Sequence, residues 1–111
     1  MAKALDRRSV GTLGERIAER FLIRRGASVA ARNLRLWPGE IDLLVRLDGS
    51  LVAVEVKTRV GADPVEELTD LKIERLHRSG GRMTRRPDRY DLVTVRLTAV
   101  GAEVRWLPGV C

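Results

Sequence analysis

The stretch GEIDLLVRLDGSLVAVEVKTR, residues 39 to 59, does most to limit what this chain can become. Asp48-Gly49 is a preferred pair for a two-residue hairpin turn, because both turn positions then need positive φ, which Gly and Asp tolerate best. With these two residues at the tip, Leu47 pairs with Ser50, and the same register carried onward sets Asp42 opposite Glu55 and Glu40 opposite Lys57. Side chains alternate between the faces of a strand. One face therefore carries Ile41, Leu43, Val45, Val52, Val54 and Val56 and can only be a core face. The other carries Leu44, Arg46, Leu51 and Ala53 near the turn, and Glu40, Asp42, Glu55 and Lys57 at the far end.

Like charges directly across a ladder destabilise it. Two of them about 5 Å apart repel by about 0.8 kcal/mol in water and by about 3 kcal/mol at an effective dielectric near 20. Lys57 and Arg46 relieve part of this conflict. A divalent cation would reverse its sign, since hard ions such as Mg²⁺ bind through one or two carboxylates and complete their shell with water and phosphate oxygens. Two readings stand: a solvated sheet face on which Glu40 pairs with Lys57, and a site in which Asp42 and Glu55 are metal ligands. The clustering of all four charges beside Gly39, where the backbone lets a ligand approach closely, favours the site. Acid, acid and lysine together suit phosphodiester hydrolysis, in which a metal polarises the phosphate and an ammonium orients water or neutralises developing charge.

Around the hairpin, Thr12 and Glu15 have capping-box spacing and precede a stripe of Leu13, Ile17 and Phe21, broadened by Ala18 and Leu22 and stopped by Gly26. This predicts a helix over 12–25. SVAARNLRL reads as a strand ended by the turn Trp37-Pro38-Gly39. After Arg59, VGADPVEEL is loop-like, although Asp63-Pro64 with Glu66 could open a helical turn. A second helix is expected from Asp70 to Gly80-Gly81, then strands over 90–97 and 104–107 separated by a turn near Gly101. The order is one helix, three strands, one helix, two strands, in a single domain spanning 1–111.

Lys and Arg number 21 against 15 Asp and Glu, for a formal charge of +6, and all but Lys3, Lys57 and Lys72 of the basic residues are Arg. Such a field favours polyanions, nucleic acid above all, while a GC-rich genome enriches Arg without any selection for binding. Arg82, Arg85, Arg86 and Arg89 form the densest basic tract. They would contact a nucleic-acid backbone without reading sequence, or form an ordinary solvated loop. Trp37 and Trp106 are the only tryptophans, which leaves no row of aromatics for single-strand stacking. His77 is expected at the surface without a role, and Asp91 is expected to pair with Arg89 or a neighbouring arginine for structural reasons. Cys111 is the lone cysteine, which excludes an internal disulfide and a thiolate zinc cluster. With no apolar run long enough to span a bilayer, the expectation is a soluble, unexported, cytoplasmic protein without membrane association.

The Gly-Glu-Ile-Asp motif, the short hairpin and Glu-Val-Lys-Thr-Arg resemble the YraN-like family of bacterial proteins, placed within the PD-(D/E)XK nuclease superfamily. The likeness covers nearly the whole chain: GTLGERIAERFLIRRGASVAARNLRL is similar to the family's Gly-x-x-Gly-Glu helix and Arg-Asn strand, and Lys72 and DRYDLVTV sit where it has a lysine-bearing helix and an Arg-aromatic-Asp strand. The resemblance implies an α/β, restriction-endonuclease-like domain whose mixed central sheet of five strands is flanked by two helices, with the hairpin carrying the site. It implies a Mg²⁺- or Mn²⁺-dependent endonuclease acting on DNA rather than RNA, with branched DNA of the Holliday-junction type as a candidate substrate and a homodimer as the form that cuts both strands. Asp42 matches the superfamily's metal-binding aspartate, Glu55 its second acidic ligand and Lys57 the lysine of the E-x-K motif. Glu15 matches an extra glutamate of the YraN-like members and is equally readable as a capping partner of Thr12. Glu40 belongs to the family motif, where it would tune Lys57 or position a second ion. Arg59 and Lys72 are candidate phosphate contacts, or plain surface residues. The chain departs from the family pattern where Ile73 follows Lys72 and where Gly80-Gly81 and RMTRR cut the second helix short. The alternative function is a non-catalytic nucleic-acid-binding module in repair or RNA handling. RNA cleavage of the tRNA-endonuclease kind would need a histidine that His77 is poorly placed to supply.

Overall fold

The computed structural model describes residues 6–61 and 69–111. Helix α1 spans Arg7–Arg24, strands β1, β2 and β3 span Ser28–Leu36, Gly39–Leu47 and Ser50–Val60, helix α2 spans Asp70–Gly80, and strands β4 and β5 span Arg89–Thr98 and Gly101–Leu107. The Asp63-Pro64 turn expected after β3 lies outside the described residues. The five strands form one mixed sheet in the order β1-β2-β3-β4-β5. All neighbours are antiparallel except β3 and β4, which run parallel from Val52↔Arg89 to Val60↔Leu97. A parallel pair needs a crossover, and the connection that contains α2 provides it.

The first helix begins five residues before its expected start. Asp6 caps it, its carboxylate accepting the Ser9 N–H at 2.8 Å, so Thr12 and Glu15 are interior residues and form no capping box. Ala18 and Leu22 of the expected stripe are buried against the sheet, with Ile17 and Phe21 packed at their side, while Leu13 is exposed and Gly14 takes the buried position of the first turn. A β-carbon on Gly14 would overlap the Thr58 side chain of β3, so the glycine sets how closely helix and strand approach.

The hairpin forms with its expected turn and register. Asp48 and Gly49 have φ of 51° and 80°, and the ladder runs from Leu47↔Ser50 to Leu43↔Val54. Near the turn both of its faces are covered. Leu43, Val45, Val52, Val54 and Val56 pack with Ala18 and Leu22 of α1, while Leu44, Leu51 and Ala53 pack with Leu76 of α2. Each large side chain fully removed from water contributes about 1.5–3 kcal/mol.

Beyond Leu43 the expected alternation fails. The β1–β2 ladder goes from Arg32↔Leu43 directly to Leu34↔Ile41, and the skipped Asn33 has φ of 50°. The β2–β3 ladder also ends at Leu43↔Val54, and Ile41 lies on the α2 side, among Leu44, Leu51 and Ala53, instead of joining Leu43 and Val45. Asp42 does not take its place as a ladder partner of Glu55. Its carboxylate Oδ2 accepts the Val56 N–H at 2.8 Å, a side chain standing in for a main-chain acceptor.

Two polar links fix the rest. Gly39 donates its N–H to Ser79 Oγ at 2.9 Å, tying the start of β2 to the end of α2. Asp91, fully buried, accepts from Arg89 Nε and Nη2 at 2.7 and 2.8 Å, from Trp106 Nε1 at 2.9 Å and from the Gly109 N–H at 2.8 Å. Asp91 is therefore the structural partner of Arg89 that its position suggested. His77 is exposed and stacks on Tyr90 with 3.9 Å between ring centroids.

Candidate active site

Where the hairpin ladder stops, the strands give way to an open cavity of about 1110 Å³. Its floor and walls are built by Glu15 of α1, Asn33 of β1, Glu40 and Asp42 of β2, and Glu55 and Lys57 of β3. The four charged residues of the hairpin thus converge, and Glu15 joins them because the long first helix carries it past the end of the sheet ladder.

One carboxylate oxygen from each of Glu15, Glu40 and Asp42 lies within 4.8 Å of the others. Three anions at that spacing repel by about 3 kcal/mol per pair at an effective dielectric near 20. Burial and this repulsion act together on two of its members. Burial and then the neighbouring Glu55 carboxylate push Asp42 up to about 8, against the stabilising Val56 N–H, with Glu15 and Glu40 adding to the rise. Burial, Glu40 and Glu55 raise Glu15 in the same direction. Asn33, with its amide nitrogen turned inward, donates to Glu15 Oε1 at 3.1 Å and Glu40 Oε1 at 3.0 Å. It holds the two glutamates together.

Glu55 takes a different position from the one its ladder register suggested. It is ion-paired with Lys57 at 3.0 Å, so Lys57 is matched to Glu55 rather than to Glu40, and Glu40 belongs with Glu15 and Asp42. The physical reason is the end of the ladder at Leu43↔Val54: past it, residues of β2 no longer face those of β3 in register. The donor set of Glu15, Glu40 and Asp42 is entirely oxygen, which fits a hard divalent cation such as Mg²⁺ or Mn²⁺.

The rim is basic. Arg59 and Lys72 line the cavity, as do Arg7, Arg8 and Arg35. Arg82, Arg85 and Arg86 of the expected basic tract do not line it, and Arg85 is engaged by Asp88 at 3.0 Å. Sequence reasoning missed Asn33, Arg35 and the Arg7-Arg8 pair. Asn is one of the few residues that tolerates positive φ inside a strand, but only the structure shows that its side chain then reaches two glutamates. Arg7 and Arg8 come to the rim because the helix starts earlier than the capping-box pattern suggested.

A small α/β domain with acidic residues and a lysine gathered at the splayed end of a central hairpin is the class defined by this fold and site. A family model described as "Uncharacterised protein family UPF0102" matches residues 14–95. A UPF0102 protein of Beutenbergia cavernae is 41% identical over 112 residues, covering 92% of this chain and 95% of that protein. One from Solibacter usitatus is 41% identical over 110 residues, 89% of this chain and 83% of its own length. One from Roseiflexus castenholzii is 51% identical over 73 residues, and this chain spans only 59% of that protein's length. The chain belongs to the UPF0102, or YraN-like, family, and its placement among PD-(D/E)XK nucleases is consistent with that membership. Among the described residues no helix is long and apolar enough to cross a membrane.

Proposed function

We propose that the chain is a metal-dependent nuclease that hydrolyses DNA phosphodiester bonds, with branched or otherwise irregular DNA as its substrate. The observation that carries this reading is the convergence of three carboxylates and an acid–lysine pair in one cavity with a basic rim. Glu15, Glu40 and Asp42 would hold Mg²⁺ or Mn²⁺, with Glu55 close enough in charge to raise Asp42 and so able to contribute to the same field. Bound there, the ion would supply the positive charge that polarises a phosphate oxygen and acidifies water. Glu55 holds the Lys57 ammonium at the cavity wall, where it can orient the attacking water or neutralise charge developing on the phosphate. The arginines of the rim would grip the sugar–phosphate backbone without reading bases. Since each copy carries one such site, cutting both strands of a junction would take a homodimer.

The test is incubation of the protein with labelled single-stranded, duplex, flapped and four-way DNA, and with RNA, in Mg²⁺, Mn²⁺ or EDTA. Cleavage is expected on DNA with either metal, and it should vanish in EDTA and in Lys57→Ala. Activity that persists in EDTA refutes the metal nuclease. Binding without cleavage of any substrate would instead identify a non-catalytic nucleic-acid-binding module.

A further inference from the structure

Helix α2 carries a second set of features, outside the carboxylate cluster. Lys72, Arg75 and Arg78 are all exposed. They recur every three residues and so form one stripe along the helix. Lys72 and Arg75 line a smaller pocket beside the cavity, together with Glu40, Asp42, Glu55 and Lys57. At the other end of the stripe, the Arg78 guanidinium carbon lies 5.8 Å from the centroid of the Trp37 ring. Trp37 is 71% exposed, an uncommon state for so large an apolar side chain. It sits on the turn immediately before β2, and that turn is anchored by the Gly39 N–H to Ser79 bond. Only Pro38 and Gly39 separate Trp37 from Glu40, so their Cα atoms are about 11 Å apart at most.

We propose that Trp37 is a stacking platform for an unpaired nucleobase, and that Lys72, Arg75 and Arg78 carry the phosphates of the same strand from the cavity to it. The proposal rests on the nuclease reading for the presence of nucleic acid at the cavity, and it specifies the substrate as one with single-stranded character beside the scissile bond. An indole accepts the flat face of any base, so the contact selects unpaired structure over sequence. A blunt duplex keeps its bases stacked on each other and offers none to the ring. The exposed indole and the cationic stripe would then act together, the stripe by charge and the ring by stacking.

The experiment uses the full chain in EDTA, so that binding is read without cleavage. Labelled oligothymidylate, oligouridylate and a blunt DNA duplex of equal length are titrated against wild type, Trp37→Ala and Trp37→Phe, with tryptophan fluorescence followed in parallel. Trp37→Ala should weaken oligothymidylate binding by at least about fivefold and leave duplex binding within about twofold, the spread expected of an exposed position outside the contact. Trp37→Phe should retain most of the affinity, and the oligonucleotide should quench wild-type emission but not that of Trp37→Ala. Oligouridylate bound as tightly as oligothymidylate would support a platform indifferent to the sugar. Equal weakening on the duplex, or no quenching, overturns the proposal. So does a wild-type dimer in sedimentation that Trp37→Ala disperses, for the ring would then serve a second copy of the chain. Because these readouts need no metal, a failure of cleavage with Mg²⁺ or Mn²⁺ would sink the nuclease reading and leave the stacking result standing.

Discussion

Asp42→Asn should make the metal-free protein more stable while removing its response to divalent ions. Burial and neighbouring carboxylates hold Asp42 near 8 in the folded chain, above the ordinary value of 3.8. The folded state therefore keeps a proton that the unfolded chain has already lost, and stability falls as pH rises between those two values. The slope is up to about 1.4 kcal/mol per pH unit, so the loss across the window reaches on the order of 5 kcal/mol and then levels off above pH 8. Asparagine keeps the oxygen that accepts the Val56 N–H, carries no charge, and turns an amide donor toward the Glu15 and Glu40 carboxylates. After subtracting the cost of burying an amide, roughly 1–3 kcal/mol, a net gain of roughly 2 kcal/mol is expected at pH 8, or about 8 °C in Tm. The assay is thermal unfolding from pH 5 to 9, with and without Mn²⁺. Wild type should lose stability as pH rises and regain it with Mn²⁺, since a cation that binds only the folded state raises Tm. Asp42→Asn should show a flatter pH profile and little response to the ion. A wild-type Tm that is flat or rising from pH 5 to 8, or an Asp42→Asn variant less stable than wild type at pH 8, would refute the electrostatic account of this site.

Other substitutions test separate parts of the structure. Gly49→Val places a β-branched residue at positive φ in the hairpin turn and should cost about 1–2 kcal/mol, read as a shift in denaturant midpoint. Gly14→Ala should cost about 1–3 kcal/mol by overpacking against Thr58 and should also weaken Mn²⁺ binding, measured by titration calorimetry. Asp91→Ala leaves Arg89, Trp106 and the Gly109 N–H without their common acceptor and should cost about 3–5 kcal/mol, with no direct effect on the ion. Arg8→Ala and Arg35→Ala should each lower the salt sensitivity of DNA binding, while Arg85→Ala, away from the cavity and engaged by Asp88, should leave it unchanged.

The hairpin and both helices were legible because their signals are local. Asp48-Gly49 dictates its turn, and Gly80-Gly81 ends α2 in the structure as in the sequence. The faces of the hairpin could be sorted by alternation only as far as Leu43. What breaks the pattern is the end of the β2–β3 ladder at Leu43↔Val54, beside an Asn33 whose positive φ nothing in the Arg-Asn pair announces. From alternation alone Ile41 belonged with Leu43, and Glu40 belonged with Lys57. Neither holds once the ladder is interrupted, yet the same interruption turns Asp42 toward Glu15 and assembles the carboxylates. The start of α1 was misjudged for a different reason. Two competent caps lie six residues apart, Asp6 with Ser9 and Thr12 with Glu15, and the helix uses the first. The parallel pairing of β3 with β4 depends on contacts remote in sequence and leaves no mark on either strand's own pattern.

The packing of Gly14 on Thr58 has a consequence for the dimensions of the site. Glu15 follows Gly14 on the helix and Lys57 precedes Thr58 on the strand, so the closest approach between the two elements serves as a ruler laid between an acid of the carboxylate cluster and the lysine opposite. The width of the cavity is thereby inherited from a steric contact that involves no charge. Volume changes at position 14 or 58 would alter the spacing of the cluster without altering any of its carboxylates.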